Sequence, residues 1–107
     1  ADLKRDALIP DETAVLANFP NPFNPETWIP YQLHEGAKVT MTIFDALGRI
    51  VRRLDLGYQS AGYYRARHRA AYWDGRNNDS EPVSSGAYFI ELTAGNYRKM
   101  RRIVLLK

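Results

Sequence analysis

The feature that most constrains this chain is a run rich in proline and asparagine, Asn18-Phe-Pro-Asn-Pro-Phe-Asn-Pro25. Proline fixes φ, has no N–H donor and pushes the residue before it toward extended conformations. Three such steps in close succession exclude a helix or a central strand. The run therefore predicts a stiff, turn-rich entry to the segment that follows.

After this run the sequence alternates like a sheet. Residues 27–33 place Ile29, Tyr31 and Leu33 on one face by a period of two, while Pro30 predicts an edge position or a bulge in that strand. Residues 39–44 form the clearest strand, with Val39, Met41 and Ile43 facing inward and the threonines outward. The list of further predicted strands is 13–17, 50–56, 63–69, 87–92 and 97–106.

Turn signals separate these strands at regular intervals. Residues 45–48 close a hairpin, for which Gly48 supplies a positive φ, and residues 94–96 form a second tight turn. About seven strands with no segment of helical periodicity predict an all-β fold, an antiparallel β-sandwich of the immunoglobulin-like class.

Composition excludes several classes of protein. The chain of 107 residues is long enough for one domain, and it has no cysteine, which excludes disulfides, thiolate metal sites and a cysteine nucleophile. No apolar run is long enough to span a membrane. Residues 1–48 carry 3 Lys/Arg against 7 Asp/Glu, net −4, and residues 49–107 carry 12 against 5, net +7. This asymmetry is typical of basic side chains on the solvent face of strands.

The domain is expected to span residues 13–107, with residues 1–12 as a linker from a preceding domain. The first six residues lack the apolar region of a signal peptide, so an exported protein would carry its export signal elsewhere. Apolar Leu3, Leu8 and Ile9 in this charged segment leave open an assembly role, in which it packs on a neighbouring domain or copy.

No catalytic residue, cofactor or metal site is predicted. His34 and His68 have no catalytic partner in the sequence, and the common hydrolase, metalloprotease and P-loop motifs are missing. Residues 74–79 are rich in Asp and Asn, but Arg76 occupies a position where a calcium loop needs an oxygen ligand. Turns stabilised by Asp and Asn side chains are the favoured interpretation.

Aromatic and basic residues alternate at residues 63–73, a pattern that could form a binding platform for a sugar or single-stranded nucleic acid. If residues 63–69 are a strand, Arg65, Arg67 and Arg69 share one face and the aromatics do not form a single surface. A core tryptophan beside surface arginines is therefore favoured. The possible ligand-binding aromatics are Trp28, Tyr63 and Trp73.

The last predicted strand combines basic residues with an apolar end. It is either an ordinary closing strand or an edge segment that another protein recognises by strand addition. The residues of this candidate recognition segment are Lys99, Arg101, Arg102, Val104, Leu105, Leu106 and Lys107.

Several segments resemble one family. The stretches 18–33, 39–53, 72–76 and 85–89, together with the basic, apolar end, are similar to the type A C-terminal sorting domain of type IX secretion and to the immunoglobulin-like domain of the flagellar hook-capping protein. The version with Glu26-Thr-Trp-Ile-Pro30 resembles domains of poribacterial proteins. Ser80 stands where the family loop usually has glycine, and residues 67–72 are longer than usual, which suggests a bulge or an extra turn.

The resemblance implies a non-catalytic module of a larger exported protein of a Gram-negative bacterium, secreted or at the cell surface by way of the periplasm. It implies that the export machinery recognises the residues of the candidate segment. The expected partners are a secretion-machinery protein and the preceding domain, with neither nucleic acid nor membrane insertion, and the isolated domain is expected to be a monomer. The alternatives are a carbohydrate- or polymer-binding module and an assembly domain.

Overall fold

The computed structural model describes residues 9–107, which form nine strands and no helix. The strands are β1 (Ala14–Val15), β2 (Thr27–Ile29), β3 (Tyr31–Leu33), β4 (Ala37–Asp45), β5 (Ile50–Gln59), β6 (Gly62–Tyr64), β7 (Ala71–Trp73), β8 (Gly86–Ala94) and β9 (Tyr97–Leu105).

A four-stranded sheet, in the order β5-β4-β8-β9, forms one layer of the sandwich. The other layer consists of a three-stranded sheet, β1-β3-β6, and a two-stranded sheet, β2-β7. All of these pairings are antiparallel, and buried residues of all three sheets form one core. The predicted all-β antiparallel sandwich is confirmed, and the strands outnumber the expected seven because five of them have only two or three residues.

The strongest alternating segments lie where the sequence predicted. Val39, Met41 and Ile43 of β4 are fully buried, and β8 buries Tyr88, Ile90 and Leu92 in the same way. Both predicted turns are present, with Gly48 at φ 82°. Neither threonine of β4 is fully exposed, however, and Thr40 is half-buried. Thr42 is buried on the outer face, because it lies between the longer residues Arg53 and Glu91 of the neighbouring strands.

The segment predicted as one strand over residues 27–33 is divided at Pro30. β2 pairs with β7, whereas β3 pairs with β1 and β6. Proline cannot donate to a sheet ladder, so its position is where the chain leaves one sheet and enters the next. The expectation of a single strand is corrected in this respect, although Ile29, Tyr31 and Leu33 are all buried as predicted.

The strand predicted for residues 63–69 is wrong beyond Tyr64. β6 ends there, and a turn follows in which the carbonyl oxygen of Ala66 accepts hydrogen bonds from the amides of Arg69 and Ala70 at 2.9 and 2.7 Å. The extra turn suggested by the length of residues 67–72 is thus present. Without a strand here, the predicted division of the arginines and aromatics between two faces does not hold.

The proline-rich run forms a bent segment without regular structure, as predicted, and it is held by side chains. The amide of Asn18, which is buried, donates to Thr27 Oγ1 at 3.1 Å and to the carbonyl oxygen of Pro20 at 3.2 Å. Thr27 also donates to Pro20, at 3.0 Å. These bonds satisfy the buried polar groups where regular pairing is impossible.

Candidate recognition strand

β9 is an edge strand of the four-stranded sheet, with β8 as its only neighbour within that sheet. The proline-rich segment covers one end of its free edge. The amide of Phe23 donates to the carbonyl oxygen of Val104 at 3.0 Å, and the amide of Leu106 donates to the carbonyl oxygen of Phe23 at 3.0 Å. The Asn21 side chain accepts a bond from the Val104 amide at 3.3 Å.

These bonds fix the direction of the backbone groups along β9. Because the N–H and C=O of Val104 point away from β8, and directions alternate along an antiparallel ladder, the groups of Arg102, Met100 and Arg98 also point outward. Within residues 9–107 these three residues have no backbone partner on the outward side. The middle of β9 therefore has unpaired backbone groups on its outward side, beside a cleft of about 290 Å³ that residues 12–15 also line, whereas its end is closed.

The side chains of the free portion are strongly basic. Lys99, Arg101 and Arg102 are exposed, and so is Arg98, which is not among the predicted recognition residues. The only ion pair of these cations within the described part of the chain joins Arg98 to Glu91 at 3.8 Å. An exposed pair of this kind has little effect on stability, so the edge keeps its positive potential.

The apolar end of the predicted segment is less accessible. Leu105 is fully buried in the core and Val104 is half-buried, whereas Leu106 is 60% exposed. Lys107 is exposed, and its amide donates to Ser85 Oγ at 2.9 Å. The structure thus separates the predicted residues into an exposed basic group and an end that is largely built into the sandwich.

A shallow apolar groove of about 380 Å³ adjoins β9 on the outer face of the sheet. It is lined by Phe44 and Phe89, and Met100 of β9, which is 51% exposed, lies at its border. The sequence signal for this groove is weak, because Phe44 and Phe89 occupy outward positions of alternating strands. Such a groove could accommodate apolar side chains of a strand paired with β9.

A comparison with protein-family models decides the family. Residues 26–97 match the model of the FlgD Ig-like domain, which is more than half of the chain. The chain belongs to this family. The FlgD Ig-like domain is a structural module, in agreement with the prediction of a non-catalytic chain and of an immunoglobulin-like sandwich.

A curated relative of this FlgD Ig-like domain is the basal-body rod modification protein FlgD of Salmonella typhimurium, 42% identical over 59 residues. The match covers 55% of this chain and 23% of FlgD, so the chain spans about a quarter of the length of its curated relatives.

Two solved structures from Porphyromonas gingivalis have a similar fold. The structure of dimeric latent PorU matches with a TM-score of 0.63 and 16% identity, over 91% of this chain and 9% of that chain. PorZ, described as an essential surface component of the type-IX secretion system, matches with a TM-score of 0.56 and 21% identity, over 91% of this chain and 12% of that chain. At these identities the likeness shows the fold alone.

The aromatics predicted as ligand platforms differ in accessibility within this FlgD Ig-like domain. Trp73 is fully buried, packs 5.6 Å from the Phe23 ring and donates through Nε1 to the carbonyl oxygen of Arg76 at 2.9 Å. Its core alternative is confirmed, and the ligand-binding alternative is wrong for this residue. Tyr63 is half-buried, and the Arg65 guanidinium lies 4.2 Å from its ring centroid.

Trp28 is half-buried in a surface stack. The Phe19 ring lies 6.2 Å from it and the Tyr72 ring 5.4 Å, and the Arg67 guanidinium lies 4.3 Å from its centroid. Neighbouring side chains thus already cover Trp28. The three aromatics do not form one flat platform, because they lie in three different environments.

The hydroxyl of Tyr72 donates to Glu26 at 2.6 Å. This hydrogen bond, with burial and the nearby carboxylates of Glu26 and Asp74, raises the pKa of Tyr72 to about 12.

The Asp and Asn residues of the loop after β7 stabilise turns, as predicted. Asp74 accepts from the amide of Arg76 at 3.0 Å, and Asn77 accepts from the amides of Asp79 and Glu81 at 2.9 and 3.0 Å. In residues 9–107, no three His, Cys, Asp or Glu side chains lie close enough together to hold a metal ion. Arg52 of β5 ties the loop to the sheet through Asp74 at 3.2 Å.

Two tyrosines for which no site role was predicted fix the chain at the entry to β6 and β8. Tyr64 donates to the carbonyl oxygen of Ser60, and Tyr88 donates to that of Ser84, both at 2.6 Å and both four residues back. The repeated Ser-x-x-x-Tyr spacing is the sequence signal for this arrangement. Burial, with the Asp45 carboxylate, raises the pKa of Tyr88, so its hydroxyl stays protonated.

The histidines and the first described residues are also placed. His34 is exposed, and its Nδ1 lies 2.8 Å from the carbonyl oxygen of Pro10, which is buried. Gln32 donates to the carbonyl oxygen of Glu12 at 3.0 Å. Residues 10–12 are therefore attached to the sandwich. Leu3 and Leu8 of the assembly hypothesis lie outside the described residues, and Ile9 is 38% exposed.

Residues 9–107 include no helix that could span a membrane.

Proposed function

We propose that this domain is a module of a larger exported bacterial protein, and that a protein of the export or surface machinery recognises it through β9. The observation that carries the proposal is the open edge of β9, with outward backbone groups at Arg98, Met100 and Arg102. Strand addition needs such unpaired N–H and C=O groups on an accessible edge.

The charge of β9 indicates what kind of segment binds. Four cations lie within residues 98–102, and most of them are exposed without a carboxylate partner among residues 9–107. An extended segment that carries acidic residues would complement them, with apolar side chains directed to the groove beside Met100. The basic residues would steer the encounter, and the backbone ladder would supply most of the affinity.

The placement in an export pathway is supported by two further similarities. The resemblance to type IX sorting domains covers the same last strand. PorZ, a surface component of the type-IX secretion system by its description, and PorU, both of Porphyromonas gingivalis, contain a domain of matching fold. The proposal extends these similarities to a secreted or surface-attached protein that reaches its site by way of the periplasm.

The test is export of a fluorescent cargo fused to the 107-residue chain in a bacterium with a type IX system, because residues 10–12 are attached to the sandwich. Removal of residues 103–107 would also remove the buried Ile103 and Leu105, so it would confuse recognition with folding. A charge reversal of Arg98, Arg101 and Arg102 to Glu avoids this problem, because all three side chains are exposed. Export is expected to fall by about tenfold or more, as for loss of several charged contacts in an interface.

The matched control reverses three exposed arginines away from β9, Arg53, Arg65 and Arg67, to Glu. This variant changes the net charge equally. It is expected to leave export within about twofold, because these exposed charges lie away from β9 and do not contact a segment bound there. Equal loss in both triple variants, with both fusions folded, would contradict recognition through β9.

A second candidate function is assembly between copies, because FlgD relatives are named as basal-body proteins. The same open edge of β9 could pair with a neighbouring copy. Light scattering over a range of concentrations separates the two functions: a constant monomer mass supports the recognition module, and growth of the mass with concentration supports assembly.

A further inference from the structure

A second feature of the surface shares no residue with β9. An open cleft of about 480 Å³ lies where the end of β5 meets the opposite layer of the sandwich. β5 and the residues after it contribute Tyr58, Gln59 and Ser60, and the facing layer contributes Tyr31, His68 and Arg69. Neither the predicted recognition segment nor the predicted aromatics include any of these residues.

The cleft combines positive charge with neutral hydrogen-bonding groups. Arg69 and His68 line it, and no Asp or Glu does. None of the ion pairs within the described part of the chain involves Arg69. A guanidinium that has no carboxylate of its own is available for the carboxylate of a ligand.

Arg69 is held in place by an aromatic stack. The rings of Tyr31 and Tyr64 are parallel within 2° at 4.7 Å, and the Arg69 guanidinium lies 4.6 Å from the Tyr64 ring centroid. The bond from Tyr64 to Ser60 fixes this ring in turn. Because the guanidinium rests on an immobilised ring, less side-chain entropy is lost when it binds an anion.

Two further tyrosine features complete the cleft. Burial, reinforced by Tyr64 and opposed by Arg69, raises the pKa of Tyr31 to about 12, so its hydroxyl remains a neutral donor. Tyr58 is 72% exposed, and a Cβ on Gly36 would collide with its hydroxyl. Only glycine at residue 36 therefore lets the Tyr58 ring lie where it does.

We propose that this cleft binds an acidic sugar residue of a polysaccharide. The carboxylate pairs with Arg69, the sugar hydroxyls bond to the polar groups of Gln59 and Ser60, and the apolar face of the pyranose ring packs on Tyr58. Aromatic surface with a few convergent polar groups is typical of small-ligand sites. Among the described residues that line the cleft, Arg69 is the one permanently charged side chain, beside phenol rings and neutral polar groups, which favours an acidic sugar over a phosphate.

The probe is trigalacturonate, added to the 107-residue chain and followed by calorimetry and by backbone amide shifts in NMR spectra. Saturable binding is expected, with shifts at residues 56–60 and 68–70. The methyl-esterified trimer keeps the shape of the sugar and removes its charge. We expect this trimer to bind at least about tenfold more weakly. Loss of one hydrogen bond to a charged group changes a dissociation constant by about this factor.

Variants locate the site. Arg69→Ala is expected to weaken binding about tenfold or more, and Arg69→Lys to restore part of it, since lysine keeps the charge but not the planar fork. Tyr58→Ala is expected to weaken binding about fivefold or more, with unchanged folding because the side chain is exposed. The matched control is Arg65→Ala, whose guanidinium lies over Tyr63 and bonds to Gln32 at 3.3 Å, outside the cleft.

Three results would overturn the proposal: no binding of trigalacturonate, equal binding of the esterified trimer, or equal loss in the Arg65→Ala and Arg69→Ala variants, which would indicate a general charge effect. Because the cleft and β9 share no residues, failure here leaves the export test unaffected, and failure of export leaves this proposal standing.

Discussion

The backbone amide of Phe23 lies 3.0 Å from the carbonyl oxygen of Val104, so the proline-rich segment pairs with the end of the last strand. One bridge therefore joins the two segments that most distinguish the sequence. It closes the edge of β9 at Val104 and leaves the edge open at Met100, which defines where a partner strand could begin.

The Phe23 side chain is expected to stabilise this bridge. It is 1% exposed and packs on Trp73. Phe23→Ala should lower the free energy of unfolding by about 3–5 kcal/mol, the usual loss for a buried phenylalanine, as measured by urea denaturation. Leu47→Ala, at a side chain 78% exposed, should change it by less than about 0.5 kcal/mol. A loss below about 1 kcal/mol for Phe23→Ala would show that the segment does not anchor the core.

Ser80 has a φ of 63°, which is unfavourable for a residue with a side chain. Glycine relieves about 1–2 kcal/mol of steric cost and loses about 0.5–1 kcal/mol through its greater freedom in the unfolded chain. Ser80→Gly should therefore raise the free energy of unfolding by roughly 0.5–1 kcal/mol. Ser84→Gly, at a residue without positive φ, should lower it. A destabilised Ser80→Gly variant would contradict this reading of the loop.

Gly75 and Gly95 form a matched pair. Both have positive φ, 76° and 59°, but a Cβ on Gly75 would lie 2.5 Å from the carbonyl oxygen of Pro25, whereas the nearest atom to a Cβ on Gly95 is 3.9 Å away. Gly95→Ala should lower the free energy of unfolding by about 1 kcal/mol, because alanine is strained at a positive φ. Gly75→Ala should cost at least about 1 kcal/mol more, because the loop must move away from the proline-rich segment. Chemical denaturation measures both, and equal losses would rule out the close approach.

Stability at high pH should depend on Tyr72. Its pKa is raised from 10.0 to about 12, so the folded state holds the phenol proton more tightly than the unfolded state does. The contribution of Tyr72 to the free energy of unfolding is then complete below pH 10 and is lost as the pH rises through about 12. Compared with the wild type, Tyr72→Phe should show a smaller fall in melting temperature over this interval.

Glu26→Gln is the complementary variant, because it keeps a hydrogen-bond acceptor and removes the charge. It should lower the pKa of Tyr72 in an ultraviolet titration of the tyrosines. An unchanged titration would show that the negative charge of Glu26 does not contribute to the shift.

The sequence predicted the strands whose apolar residues alternate over a long stretch. The regular period of Val39, Met41 and Ile43 is sufficient, because a slip of one residue would expose all three. Residues 63–69 alternate just as well, yet the chain turns at Ala66. Alternating aromatic and basic side chains do not require a ladder, since Arg65 and Arg69 instead lie over tyrosine rings close in sequence.

The candidate sites depended on neighbours that are distant in sequence. The edge position of β9 could be suspected from its basic residues, but its closure by Phe23 could not, because the two segments lie about eighty residues apart. The cleft at Arg69 was missed for the same reason. Its residues come from three separate stretches, and no local pattern connects Tyr31, Tyr58 and Arg69.

The most direct test of recognition through β9 compares Met100→Pro with Met100→Ala in the cargo export assay. The amide of Met100 points away from β8, so proline removes an outward donor and blocks strand addition while the inner ladder remains. Alanine removes the side chain and keeps the donor. Export is expected to be lost with proline and largely retained with alanine, and thermal melting checks that both fusions are folded. Export of the folded proline variant at the wild-type level would contradict recognition through β9.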